Sequence, residues 1–316
     1  MRGLFRLAVF GVAVLAVSGC TQVVAPPLNR AKPVPSYRPE PVDVKKVLGD
    51  LSTLDPCSLF EPSDFGGGKV IQSGSWDECP VSLPAVSGSQ IVSVGSVGRL
   101  DTFQAVSNPE LKDGFSTSIH ASPMAPCGRL LHLGDGTALS VHVMLSGEGH
   151  ASVVCPQVGT GFEKILERLK KKPKSVKHHT FPPGSMAAMD PCQVTPAAAL
   201  APFPTRKDWP AKHTCEWNDT AGNTVRLTFG RTDPLWNGHL PVVTVAGRPN
   251  LRLEAPGGRD ATCVLMTNGP KAPVSDGQVE QASLALTLKG NPDMAAACAQ
   301  VTRLAEQVWP VVPPAA

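Results

Sequence analysis

The sequence has little charge of either sign: Asp, Glu, Lys and Arg make up 17% of its 316 residues, and the formal net charge is +3. So near-neutral a balance gives no reason to expect nucleic acid as a partner. The common catalytic motifs are missing as well. There is no G-x-S-x-G; Gly95-Ser96-Val97-Gly98 has the wrong order for a nucleophile elbow. H-E-x-x-H and S-x-x-K are also absent. Gly66-Gly67-Gly68-Lys69 lacks the spacing and the Ser/Thr of a phosphate loop and reads as a flexible turn. Closely spaced cysteine pairs are missing too, which speaks against zinc, whose sites favour C-x₂₋₄-C. No catalytic residue, metal ligand or cofactor is therefore assigned.

Long apolar runs are also scarce. The N-terminus carries Arg2 and Arg6, then an apolar run from Leu7 to Val17, and closes with Val17-Ser18-Gly19-Cys20. The run is short of the roughly 20 residues a spanning helix needs. A basic start, a short apolar core and small residues before a cut are the parts of a secretory signal. The V-S-G-C tetrad resembles a bacterial lipobox. That resemblance implies cleavage before Cys20 and lipidation of its sulfur. Residues 1–19 are then the signal peptide, and the chain is expected at the outer face of the cytoplasmic membrane, held there by its N-terminal lipid. Removing Arg2 and Arg6 with the leader lowers the net charge by two. Residues 20–47 read as a membrane tether, with Pro26, Pro27, Pro33, Pro35, Pro39 and Pro41 stiffening it. Its Pro-rich stretch, 22–42, reaches at most roughly 65 Å when extended.

The other eight cysteines are what the sequence has in abundance. Cys57, Cys79, Cys127 and Cys155 are separated by 22, 48 and 28 positions; Cys192, Cys215, Cys263 and Cys298 by 23, 48 and 35. The near-match predicts one module present twice. Each copy opens alike, with Asp55-Pro56-Cys57 and Asp190-Pro191-Cys192. Asp suits a helix cap and Pro the first helical position. A tryptophan and an acidic residue flank the second cysteine in Trp76-Asp77-Glu78-Cys79 and Cys215-Glu216-Trp217, and both tryptophans are expected over the first disulfide of their own copy.

Strands are predicted over Gln90–Val94 and Thr224–Phe229, where Val225, Leu227 and Phe229 alternate with polar residues. A hairpin is predicted from Cys127–Leu133 and Ala138–Leu145 around Gly134-Asp135-Gly136, with Cys263–Met266 and Ser283–Leu288 in the corresponding places. The fourth cysteine of each copy opens a helix, marked by Val158, Phe162, Ile165, Leu166 and Leu169 in the first and by Val301, Leu304, Ala305 and Val308 in the second. The expected fold class is α+β: two tandem homologous domains, 48–173 and 185–312, joined by a linker at 174–184. Each is an antiparallel sheet with helices on one side and two disulfides.

A set of four cysteines allows three connectivities. Sequential pairing is favoured, because Cys57–Cys79, Cys127–Cys155, Cys192–Cys215 and Cys263–Cys298 would each tie a helix to a strand. An exported chain also meets an oxidising compartment.

The order of these motifs (Asp55-Pro56-Cys57-Ser58-Leu59 with Cys79, then Asp190-Pro191-Cys192 with Cys215-Glu216-Trp217) resembles a family of actinobacterial envelope lipoproteins, domain-of-unknown-function family 3558. The resemblance implies export and a disulfide framework and brings no catalytic residues. This chain departs from the family in holding two units and in placing Trp76 before its cysteine.

Other features read as structural. His120, His132, His142 and His150 have no matching set in the second half and read as solvent-edge histidines, with His132 and His142 facing each other if the hairpin register allows. Lys170, Lys171, Lys172, Lys174, Lys177, His178 and His179 complement a helix C-terminus and solvate the linker. The expected function is a non-enzymatic binding or accessory lipoprotein of the cell envelope, with a cell-wall or envelope-protein partner and a ligand groove between the units. The alternatives are an envelope hydrolase using carboxylates such as Glu78 and Glu216, and a sensor or assembly partner of an envelope complex.

Overall fold

The computed structural model describes residues 42–84, 89–103, 107–122, 125–146, 151–234 and 240–315. Cys20, the signal peptide and nearly all of the tether lie outside them, as does His150. No helix among the described residues is long and apolar enough to cross a membrane.

Among the described residues the chain builds two seven-stranded antiparallel sheets. The first contains β1 (Lys69–Val70), β2 (Cys79–Leu83), β3 (Ser89–Arg99), β4 (Glu110–Lys112), β5 (Phe115–His120), β6 (Gly128–Gly134) and β7 (Thr137–Ser146). The second contains β8 (Thr205–Asp208), β9 (Thr214–Asn218), β10 (Thr224–Thr232), β11 (Val242–Val245), β12 (Arg248–Gly257), β13 (Asp260–Lys271) and β14 (Val279–Leu288). Their orders are β1-β2-β3-β7-β6-β5-β4 and β8-β9-β10-β14-β13-β12-β11. The two orders agree strand for strand.

The local signals explain where the elements begin. Asp55 accepts from the Cys57 amide at 3.0 Å and caps a 3₁₀ turn, Pro56–Leu59. Asp190 accepts from the Cys192 amide at 2.9 Å and caps the short helix α3 (Pro191–Val194), counted after α1 (Val44–Leu48) and α2 (Ala151–Lys171). The final helix, α4 (Met294–Val308), starts at Asp293, whose carboxylate accepts from Ala296. Cys155 and Cys298 do not open their helices: each sits one turn inside. In α2 this leaves Pro156 within the helix, where its missing N–H gives up one backbone bond.

All four disulfides follow the sequential pairing, with Cα–Cα distances of 5.2, 5.5, 5.1 and 5.1 Å in chain order. These lie within the ordinary range for a bridge. The first core gathers Val81, Val92, Val94, Leu139, Val141 and Val143 with Val158, Phe162 and Ile165 of α2. The second gathers Val225, Leu227, Phe229, Leu284 and Leu286 with Val301, Leu304 and Val308 of α4.

Three placements differ from the sequence reading. Val44 and Leu48 of α1, four residues apart on one helix face, are buried in the first core, so packing begins inside the segment assigned to the tether. The linker 174–184 is docked rather than free. His178 bridges Leu54, and the Asp55 amide donates to the Lys177 carbonyl at 3.0 Å. Trp76, expected over its own disulfide, instead enters the core of the second half, where it packs beside Phe181 and His213. Trp217 stays in its own half's core, which also holds Cys192 and Cys215.

The insertion of Trp76 is reciprocated. Ala211, from the loop before β9, joins the first core, just as Trp76, from the loop before β2, joins the second. The strands behind those loops explain how they approach. Register places Gly98 and Gly230 at corresponding sites, one residue beyond Val97 and Phe229, which face Leu139 and Ala282. A Cβ on Gly230 would lie 2.5 Å from the Gly74 carbonyl oxygen, and one on Gly98 would lie 3.1 Å from the Trp209 ring. Each half thus uses a glycine to admit the other's loop.

Candidate binding face on the second sheet

A pleated sheet has two faces, and here only one face of each sheet meets its main helix. On the first sheet, the opposite face carries the cross-strand rows Ser118–Leu130–Ser140 and His120–Gly128–His142–Ser93. These rows are covered: Ser93, Leu130 and Ser140 are fully buried and His120 nearly so. Phe103 stacks edge-on against His120 at 5.7 Å.

His120 and His142 are therefore not solvent-edge residues, while His132 is only partly buried. Nor do His132 and His142 face each other, because the register sets His132 opposite Ala138 and His142 opposite Gly128. His142 meets His120 instead, with ring centroids 6.5 Å apart, and its Nδ1 lies 3.0 Å from Ser140 Oγ. Burial, and then the neighbouring His120, push its pKa down to about 4. His132 pairs with Ser118 Oγ at 2.8 Å, and burial lowers its pKa also.

The corresponding face of the second sheet is open. One row runs Leu253–Val264–Ala285–Arg226–Glu216–Lys207, and the next runs Val242–Leu251–Met266–Ser283–Thr228–Thr214. The face is zoned along these rows. Its β11–β13 side is apolar, with Val242 63% and Leu253 37% exposed. Its β8–β10 side is polar. There the Glu216 carboxylate accepts from Arg226 Nη2 at 2.6 Å, with Lys207 Nζ at 3.8 Å, while the Arg226 guanidinium lies 5.9 Å over the Trp209 ring. A shallow depression of about 580 Å³ covers this polar side, lined by Lys207, Glu216, Arg226, Thr262 and Thr287. Asp260 closes it, its pKa lowered by the hydrogen bond from Lys289 and then by the Gly290 amide. A second hollow, about 400 Å³, adjoins Val242, Leu251 and Met266 at the apolar side.

The other sites foreseen from sequence are placed as follows. Glu78 accepts from Ser93 Oγ at 2.7 Å, whereas Glu216 is engaged by Arg226 and Lys207; their partners are disjoint, so the two carboxylates form no shared constellation. The groove expected between the units is filled at its centre by Trp76 and His213, both about 2% exposed. Two members of the lysine cluster are neutralised locally, Lys170 by Asp113 at 3.1 Å and Lys171 by Glu167 at 2.7 Å. Cys192, Asp208 and Cys215 lie close enough together to suggest a metal set, but the two sulfurs are joined to each other and offer no thiolate. Gly66 closes the 3₁₀ turn Pro62–Phe65 in the left-handed region, at φ 86°.

The open face was missed in the sequence. Its signal was that Val264 and Met266 stand on the side of β13 away from the apolar set Ala261, Cys263 and Leu265, beside Leu251 and Leu253 of β12, so apolar residues lie on both sides of β13. Compared with known proteins, the chain matches no family model, no curated protein and no solved structure.

Proposed function

We propose that this chain is a lipid-anchored, extracytoplasmic, non-enzymatic binding or accessory protein of a bacterial envelope. In this reading it consists of two homologous copies of one α+β domain, each with its helices on one side of the sheet and two disulfides. The address is supported by the tetrad ending at Cys20 and by four closed bridges, which persist in oxidising compartments. The resemblance to the envelope lipoprotein family points the same way and rests on the Asp-Pro-Cys and Cys-Trp residues.

The observation that carries the binding role is the open face of the second sheet. An exposed apolar patch bordered by polar residues is the mark of a protein contact. Small-molecule sites are deeper and bury most of their ligand. The occupant is therefore an envelope protein with an apolar centre set against Val242 and Leu253. Its polar rim would meet the Arg226–Glu216–Lys207 row.

Photo-crosslinking in intact cells tests this. A photoreactive residue at Leu253 should give a discrete protein adduct, while one at Glu306, exposed on α4, should give none. Equal labelling at both positions, or none at Leu253, would remove the proposal. The address is tested separately: Cys20→Ser should move the chain from the membrane to the soluble fraction.

A further inference from the structure

Asp77 stands two positions before Cys79, and His213 two positions before Cys215. They are the same position of the two halves, and they touch each other across the contact. A residue that meets its own counterpart marks a twofold-like, isologous contact. The pair is also chemically asymmetric. His213 Nδ1 faces the Asp77 carboxylate, and its Nε2 faces the Ala187 carbonyl oxygen at 3.0 Å. The Ala187 carbonyl only accepts, as does Asp77 when ionised; with both acceptors in place both ring nitrogens donate, and the ring is then an imidazolium. It is buried, with Trp76 at 5.4 Å and Phe181 at 6.2 Å between ring centroids.

From this geometry we infer that the two halves are held by a proton-dependent clasp, the buried His213 imidazolium on Asp77, and that loss of its proton to water loosens the contact between them. A neutral ring would leave one of its two acceptors facing a lone pair, and a half-buried carboxylate that loses its cation is destabilised. The charged groups around the ring are Asp77 before β2, Asp190 before α3 and His179 of the linker. Asp55, Glu78 and Arg231 form the next ring outward. Burial pulls the His213 pKa down, but Asp77, through charge and hydrogen bond, together with the Ala187 carbonyl, carries it above the ordinary histidine value. The sign follows: a raised folded pKa gives a contribution that is full below about pH 6.5 and fades as pH rises through the folded value. The clasp is closed in acid and released in alkali.

A backbone bond reports the state of the contact. The Arg231 amide donates to the Gly74 carbonyl at 3.1 Å, from one half to the other. In the full chain held in detergent micelles, ring ¹⁵N shifts should show His213 protonated on both nitrogens at pH 6. Hydrogen exchange at Arg231, corrected for the intrinsic pH dependence, should quicken about tenfold as pH passes the His213 midpoint, while Leu284 inside the second sheet should not respond. Asp77→Asn should lower that midpoint by about one unit or more. The exchange D77H with H213D should restore an alkaline step, because the two positions correspond. A neutral His213 at pH 6, or Arg231 protection indifferent to its titration, would overturn the inference. The unaltered chain decides the matter even if the variants fail to fold.

Discussion

The two halves share a strand order and a disulfide pattern, yet the first covers the central rows on both faces of its sheet, while the second leaves one face largely uncovered. In the first half the second face is a buried polar layer, where His120 and His142 flank Gly128 and serines satisfy their neighbours. In the second half the corresponding rows hold Thr, Arg and Glu on one side and Val, Leu and Met on the other; Arg226, Val242 and Leu253 are exposed, while Thr214 and Glu216 are buried beneath their neighbours. Under the proposed function this difference is a division of labour, with one half as scaffold and the other presenting a surface. The contact between them is where the copies treat each other alike, each passing a loop to its neighbour.

The strongest way to break this comparison is Trp76→Ala. The residue belongs to the first half but fills the second half's core, so the loss, about 3–5 kcal/mol in a denaturant titration, should appear in probes of the second sheet. A loss confined to the first sheet would contradict the exchange of loops. Removing a single bridge should be felt about equally in either half. Opening Cys57–Cys79 or Cys192–Cys215, which close loops of 22 and 23 residues, should each reduce stability by about 3 kcal/mol by chain entropy. Unequal losses would show that the copies do not rely alike on their staples.

The glycines sharpen the comparison further. Gly230→Ala sets a Cβ against a backbone carbonyl and should cost about 2 kcal/mol, whereas Gly98→Ala meets only aromatic rings that can shift and should cost less.

The halves should also differ in acid. His142 has a folded pKa near 4, below the unfolded value, so its contribution is full above about pH 6.5 and is lost as pH falls toward 4. After allowance for partial exposure this is about 1–2 kcal/mol, and His142→Gln should flatten that slope. It runs opposite to the His213 clasp, which weakens in alkali. The smallest effect belongs to the open face. Leu253→Asp should change stability by no more than about 0.5 kcal/mol while abolishing the adduct formed by a photoreactive residue placed at Val242.

Much of the scaffold was legible because local chemistry wrote it. Asp-Pro-Cys specifies a capped turn, Gly134-Asp135-Gly136 specifies a hairpin, and the spacing of Val158, Phe162 and Ile165 specifies a helix face. The cysteine intervals set the halves side by side, and sequential bridging followed. What stayed hidden depends on contacts between distant segments. Trp76 next to Cys79 reads as cover for its own disulfide, and only the approach of the second half at Gly230 redirects it. The linker's basic, Pro-rich composition reads as solvated spacer, yet its backbone pairs with Thr53 and Asp55. The pairing of Asp77 with His213 was present in the aligned positions, but opposite residue types at one site of a repeat look like divergence until the two are seen in contact. The open face escaped because alternation is read as one buried apolar side and one solvated polar side, whereas Leu251 and Leu253 of β12 and Val264 and Met266 of β13 stand on the side away from the core residues Cys263 and Leu265.

Scanning calorimetry of the intact chain tests most directly whether reciprocal insertion makes the copies one cooperative body. With Trp76 in one core and Ala211 in the other, a single transition is predicted, with equal calorimetric and van't Hoff enthalpies. Two separate transitions, each with the enthalpy of half the chain, would contradict it.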